Sequence, residues 1–214
     1  MIDALVPVKQ LSAAKSRLLP GPDRAAAGRL TLAMLSDVLS ALAGAQRIGR
    51  RAVVTPDEAV ARHAEAAGAR AIRWREPGLN PALDHAAAAL GQPGQGGLLV
   101  ILGDVAGALS PDLDRACAAA EELGHPGVVL CPASDGGTAA LLRSPPDAIP
   151  ARFGAESAAR HRAEAATAGV ALHELALPSL RIDLDRAEDV RAFLATAGGG
   201  ARTRRVLAEL GWDS

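Results

Sequence analysis

Short apolar runs alternate with helical patterns through residue 131, and this alternation constrains the fold more than any other feature. The runs cover residues 4–8, 51–55, 69–74, 98–102 and 128–131, each of strand length. Between the first two, Leu30, Met34, Val38 and Leu42 recur every four residues, which predicts one face of a helix from Asp23 to about residue 43. Thr55-Pro56-Asp57-Glu58 predicts a second helix, with Thr55 as N-cap and Glu58 completing a capping box. Pro81 opens a third, and Ser110-Pro111-Asp112 a fourth that Gly124 closes. Strands alternating with helices predict a doubly wound α/β fold around a mainly parallel sheet. Leu98-Leu99-Val100-Ile101-Leu102 is the most continuously apolar run, so it belongs at the sheet centre, buried on both faces.

After residue 131 the alternation breaks. Asp135-Gly136-Gly137-Thr138 reads as a tight turn before a short strand at 140–142. Three prolines within 144–150 exclude an interior element there. A helix closing at Gly169, a strand at 170–177 near an edge, and a short extended segment at 180–185 follow. A helix at 187–195, a hinge at Gly198-Gly199-Gly200 and a last amphipathic helix end the chain. The expected organisation is one domain over 1–214 with a C-terminal helical appendage at about 198–214.

Composition narrows the function classes. A net charge of −1 argues against non-specific binding to nucleic acid or to a membrane surface, so any anion site must be local. Aromatic residues are 2% of the chain and tyrosine is absent, which disfavours base stacking. No apolar run is expected to reach the ~20 residues that span a bilayer, and no signal peptide is evident. Cys117 and Cys131 lie in apolar runs without metal-type spacing, which predicts buried free thiols and a cytoplasmic protein.

Ligands of doubly wound sheets bind outside the carboxyl ends of the strands. That rule gathers the loop from Lys9 to Arg17, Asp104, and the turn at 135–138 on one rim. Lys9 and Lys15 are the only lysines among many arginines, and both follow the first strand. A lysine is a compact point charge suited to phosphate, so the loop is a candidate for holding nucleotide phosphates; a solvated basic loop is the alternative. Asp104 ends the central strand, as a metal ligand or a cap of the sheet end, and Gly103 before it allows close backbone approach. Asp183 and Asp185 lie two apart in an extended segment, so they share a side and call for a neutralising cation such as Mg²⁺. Alternatively, Asp185 caps the following helix and Asp183 pairs with Arg181. Together, a lysine loop, a carboxylate after the central strand and a distal carboxylate pair describe metal-assisted transfer of a nucleotidyl group. A Walker loop, a Gly-x-Gly-x-x-Gly turn and a Gly-x-Ser-x-Gly elbow are all absent.

Several blocks, in order, resemble the phosphoenolpyruvate/2-phospho-L-lactate guanylyltransferases of coenzyme F-420 biosynthesis, within the molybdenum-cofactor-type nucleotidyltransferases. They are Val6-Pro7-Val8-Lys9 with Ala14-Lys15-Ser16-Arg17-Leu18, Gly78-Leu79-Asn80, Asp135-Gly136-Gly137-Thr138, Phe153-Gly154-Ala155-Glu156-Ser157 with His161, and Ile182-Asp183-Leu184-Asp185 with Glu188-Asp189. The resemblance implies a nucleotide-diphospho-sugar-transferase type of fold and GTP as donor. It implies Mg²⁺ at Asp104, Asp183 and Asp185, with Asp104, Lys15 and Arg17 catalytic. Pro7, Lys9, Lys15, Arg17 and Asn80 would bind nucleotide, Asn80 near the guanine or ribose. Thr138, Gly154 and Ser157 would bind a phospho-carboxylic acid: phosphoenolpyruvate, 2-phospho-L-lactate or 3-phosphoglycerate. For His161 a packed or surface role is expected. Ala106, Ala139, Ala158 and Arg186 depart from the family pattern, which usually has Pro, Asn, an aromatic and Thr there. Other readings are a nucleotidyltransferase for a molybdopterin or sugar phosphate, and a non-catalytic GTP-binding paralog. The last helix can pack on its own domain or on a neighbour, which allows a homodimer.

Overall fold

The structure is a computed structural model and describes residues 1–13, 24–91 and 96–212. Among these, seven strands form one sheet: β1 (Ile2–Pro7), β2 (Ile48–Thr55), β3 (Arg70–Arg73), β4 (Gly97–Ile101), β5 (Gly127–Pro132), β6 (Thr138–Ser144) and β7 (Ala171–Glu174). Their order is β3-β2-β1-β4-β6-β5-β7. Only β6 runs against its neighbours, pairing antiparallel with β4 and β5; the remaining pairs are parallel. The expected doubly wound, mainly parallel sheet is therefore present. β4 is its middle strand, and all five of its residues are buried. The expected strand at 140–142 is longer, because β6 is sandwiched between β4 and β5 and pairs along its whole length.

Helices cover both faces. α1 (Arg24–Gly44), α2 (Glu58–Ala66) and α4 (Ser110–Leu123) pack one face through Leu35, Val38, Leu42, Val60, Leu113 and Cys117. α3 (Leu79–Leu90) and α5 (Ser157–Ala168) pack the other through Leu83, Leu90, Ala158 and Ala165. A third cluster joins α1 to α6 (Ala187–Leu194) and α7 (Ala201–Glu209) through Leu30, Met34, Val190, Phe193 and Leu207.

α1 corrects one expectation. Ala25–Gly44 is long and apolar enough to cross a membrane, but 72% of that window is buried. The helix packs against the sheet on one side and α7 on the other, so nearly every face needs an apolar residue.

Two helix starts also differ from expectation. Thr55 completes β2, and the N-cap of α2 is Asp57, whose carboxylate accepts from the N–H groups of Ala59 and Val60. The Thr55 hydroxyl instead accepts from the N–H of Asp57 at 3.1 Å. Nor is the triple glycine a hinge. A Cβ on Gly199 would lie 2.5 Å from the Gly107 carbonyl oxygen, and one on Gly200 would meet the Phe193 ring. These glycines let the α6–α7 connection press on the loop after β4. Gly200 offers no side chain to cap α7; Asp37 of α1 does so, accepting from Thr203 N–H at 2.8 Å and its hydroxyl at 2.7 Å.

Candidate active site

The chain enters the sheet at β1, builds outward to β3, and returns to β4 on the other side of β1. The crevice between the carboxyl ends of β1 and β4 is thus the topological switch point, where such sheets bind ligands. Exposed Lys9 follows β1 there, just after Pro7, and Asp104 follows β4. A Cβ on Gly103 would lie 3.0 Å from Val8 Cγ2 and 3.2 Å from the Pro7 carbonyl, so glycine lets the two strand ends close together. The loop after β1 is tied down by Asp57, which accepts from Leu11 N–H at 3.0 Å. Burial pushes the Asp57 carboxyl up, but the N–H donors of Leu11, Val60 and Ala59 outweigh it and hold the group below the usual range. Lys15 and Arg17 lie outside the described residues.

Three carboxylates converge at this rim. Asp104, Asp183 and Asp185 each offer an oxygen within 4.8 Å of the others, although Asp104 is far from the pair in sequence. A backbone bond joins the two segments, Leu184 N–H donating to the Asp104 carbonyl at 3.3 Å, and Ser134 N–H in the loop after β5 adds a second anchor by donating to the Arg181 carbonyl at 2.9 Å. Leu184 is fully buried in the third cluster, so the aspartates on either side of it turn away from that core toward Asp104. The capping role weighed for Asp185 belongs to Asp189, which accepts from Arg186 N–H at 2.7 Å and Asp185 N–H at 3.2 Å. Burial, then the negative charges of Asp104, Asp135 and Asp185, push the Asp183 carboxyl up to about 6. Three hard oxygen donors whose combined negative charge helps keep the Asp183 carboxyl this high fit a divalent cation such as Mg²⁺.

Beside them, at the start of β6, stands a second polar group. Thr138 and Ser157 are 2% and 1% exposed, with their hydroxyl oxygens 3.0 Å apart. His161 of α5 is fully buried, with Nδ1 3.0 Å from the Thr138 hydroxyl and Nε2 accepting from Arg152 N–H at 3.0 Å. Burial lowers its pKa to about 4, and the positive charges of Arg143 and Arg160 add to the shift. Gly154 lies in the same loop with φ of 126°, a conformation glycine tolerates best. The Asn80 amide clamps that loop: Oδ1 accepts from Phe153 N–H at 2.8 Å and Nδ2 donates to its carbonyl at 3.2 Å. The amide engages the loop bearing Gly154, a task its position after Gly78-Leu79 does not reveal. Arg143, just beyond the strand expected at 140–142 and so not singled out in the sequence, is 2% exposed and donates to the Ile149 carbonyl at 2.9 Å.

The four departures are placed as follows. Ala106 and Ala139 are fully buried and Ala158 nearly so, each in an apolar cluster. Ala139 therefore faces the core rather than a ligand. Arg186 is exposed and pairs with Glu188 at 3.5 Å.

Known proteins resemble this chain along nearly its whole length. The chain is 37% identical over 201 residues to a phosphoenolpyruvate guanylyltransferase of Sphaerobacter thermophilus, covering 92% of this chain and 95% of that one. It is 38% identical over 214 residues to a 3-phospho-D-glycerate guanylyltransferase of Phenylobacterium zucineum, covering 98% and 97%. Among solved structures, a protein of Desulfovibrio desulfuricans G20 described as a nucleotide-diphospho-sugar transferase superposes with a TM-score of 0.74 at 18% identity, covering 98% and 96%. A nucleotidyl transferase of Methanothermobacter superposes at 0.62 and 18% identity, covering 98% and 99%, which supports the fold alone. The family described as guanylyl transferase CofC like matches residues 2–214, and the chain belongs to it.

Proposed function

We propose that this protein is a Mg²⁺-dependent guanylyltransferase that moves GMP from GTP to a small phosphorylated carboxylic acid, in coenzyme F-420 biosynthesis. The observation that carries this reading is the convergence of Asp104, Asp183 and Asp185 at the switch point of the sheet. In the reaction, an oxygen of the acid's phosphate attacks the α-phosphorus of GTP in line. The bond to the bridging oxygen breaks, pyrophosphate leaves with the electron pair, and a guanosine-diphospho-acid forms. No general base is needed, because the attacking phosphate is already anionic.

Asp104, Asp183 and Asp185 would hold the metal, which when bound supplies positive charge to the phosphate oxygens. Lys9, Lys15 and Arg17 bring positive charge to the triphosphate and the departing pyrophosphate, and Pro7 contributes to binding the nucleotide. Thr138, Ser157 and the backbone at Gly154 bind the phospho-acid. Catalysis is positioning and electrostatics, set in advance by the loops that the third core cluster secures.

The test is pyrophosphate release from GTP and Mg²⁺ with phosphoenolpyruvate, 2-phospho-L-lactate and 3-phosphoglycerate in separate reactions. Release with one acid, abolished by a chelator, is expected and names the substrate. Silence with all three, in protein shown to bind GTP, would overturn the proposal.

A further inference from the structure

We propose that His161 is a positioning residue that makes the Thr138–Ser157 hydroxyl pair a net hydrogen donor toward the phospho-acid. The inference rests on the reading of that pair as the phospho-acid side of the site. It begins with a backbone group. The N–H of Arg152 points at His161 Nε2 at 3.0 Å, and a backbone N–H can only donate. Nε2 must therefore present its lone pair. The ring is neutral near pH 7, because burial holds its pKa near 4. Its one proton then sits on Nδ1 and is donated to the Thr138 hydroxyl oxygen at 3.0 Å.

Proton counting does the rest. Thr138 and Ser157 own two hydroxyl hydrogens between them, and one lies along their mutual contact of 3.0 Å. With Nδ1–H filling a lone pair of Thr138, one hydroxyl hydrogen is left over for a ligand. The opposite tautomer reverses the outcome. An unprotonated Nδ1 would take the Thr138 hydrogen, Ser157 would donate to Thr138, and no hydrogen would remain. An anionic phosphate or carboxylate needs a donor, so the pair can serve the substrate in only one of these two states.

The surroundings hold His161 in the first state. The Phe153 ring meets the imidazole edge-on, at 5.1 Å and 71°. Asn80 fixes both backbone polar groups of Phe153, next to the Arg152 that sets the tautomer. The pair stands where β6 begins, beside the end of β4 from which Asp104 projects; Leu102 N–H donates to the Ala139 carbonyl at 3.1 Å.

Two substitutions separate positioning from packing. In His161→Asn the amide nitrogen takes the place of Nδ1 and still donates to Thr138. In His161→Gln the amide reaches the place of Nε2 and leaves Thr138 without that donor. The expected result is a KM for the phospho-acid raised about tenfold or more in His161→Gln, as for loss of a hydrogen bond to a charged group. In His161→Asn it should stay within about threefold, with the KM for GTP unchanged in both. Equal rises in the two variants, or rises that follow the loss of thermal stability, would reduce His161 to a packed residue. The wild type gives an independent reading: histidine side-chain ¹⁵N spectra should show the Nδ1–H tautomer, and an Nε2–H ring would overturn the proposal. Wild-type turnover with a phospho-acid is the control, since its absence sinks the proposed function rather than this role of His161.

Discussion

Gly199→Ala should disable the protein from a position 14 residues beyond the nearest of the three site carboxylates, Asp185. A Cβ there would lie 2.5 Å from the Gly107 carbonyl oxygen, 2.9 Å from its carbon and 3.1 Å from the Ala108 oxygen. Even a close C–H···O contact needs about 3.3 Å, so the two backbones must part by roughly 0.8 Å. All three atoms are backbone, and no side chain can rotate away. Overpacking of this kind costs about 1–3 kcal/mol. For a chain of this size each kcal/mol lowers the melting temperature by about 2–4 °C. Gly107 is three residues beyond Asp104, so the displaced segment is the one that presents the carboxylate. A shift of about 1 Å at a reacting centre can cost on the order of 100-fold in rate. Thermal melting followed by pyrophosphate release, both on the purified variant, reads the two effects separately. Melting and turnover equal to wild type would refute the close-packing account of the triple glycine.

Three further outcomes are expected. Asp183→Asn should lower kcat by about 100-fold or more through loss of a metal ligand, while the metal-free variant melts no lower than wild type because a buried like charge is gone; near-normal turnover would remove Asp183 from the site. Asp37→Ala strips the start of α7 of its cap and should destabilise the fold by about 1–2 kcal/mol, read by denaturant unfolding; an unchanged midpoint would mean that α7 is held by packing alone. His161 has a folded pKa of about 4, below its unfolded value of about 6.5. The unfolded chain therefore binds the proton first, and the contribution of His161 to stability is complete above about pH 6.5. It is lost as pH falls from there toward 4, by about 1.4 kcal/mol per pH unit, and a stability difference between wild type and His161→Gln that does not shrink over that window would contradict it.

Much of the fold was legible because its signals are local. Strand runs and helix periodicity repeat over few residues, and the apolar run at 98–102 carries its central position in its own composition. The Asp-x-Asp pair and Asp104 were legible as candidates, since a carboxylate at a strand end or in an extended pair has few structural uses. What escaped depends on partners far away in sequence. Asp57 outcompetes Thr55 as a cap because β2 extends one pairing further, to Thr55 against Arg73. Gly198-Gly199-Gly200 has the composition of a hinge, yet close approach of Gly107 is what calls for glycine. Asn80 reads as a turn residue and a candidate for the guanine or ribose, and its clamp on the 153–154 loop is invisible until Phe153 is brought beside it; His161 reads as a packed or surface helix residue until Arg152 and Thr138 are beside it.

The bond from Asp37 to Thr203 joins residues 166 positions apart. Loop-closure entropy makes such a contact a late event in folding, formed after the local strand–helix units have assembled. The third cluster, which seats Leu184 between two of the carboxylates and Ala106 beyond the third, needs α7 to be complete. A nascent chain that has built the sheet but not yet docked α7 would have the crevice between β1 and β4 outlined and its three carboxylates unanchored. During synthesis, the arrangement of the three carboxylates would thus be completed only once residues 201–209 have emerged and docked.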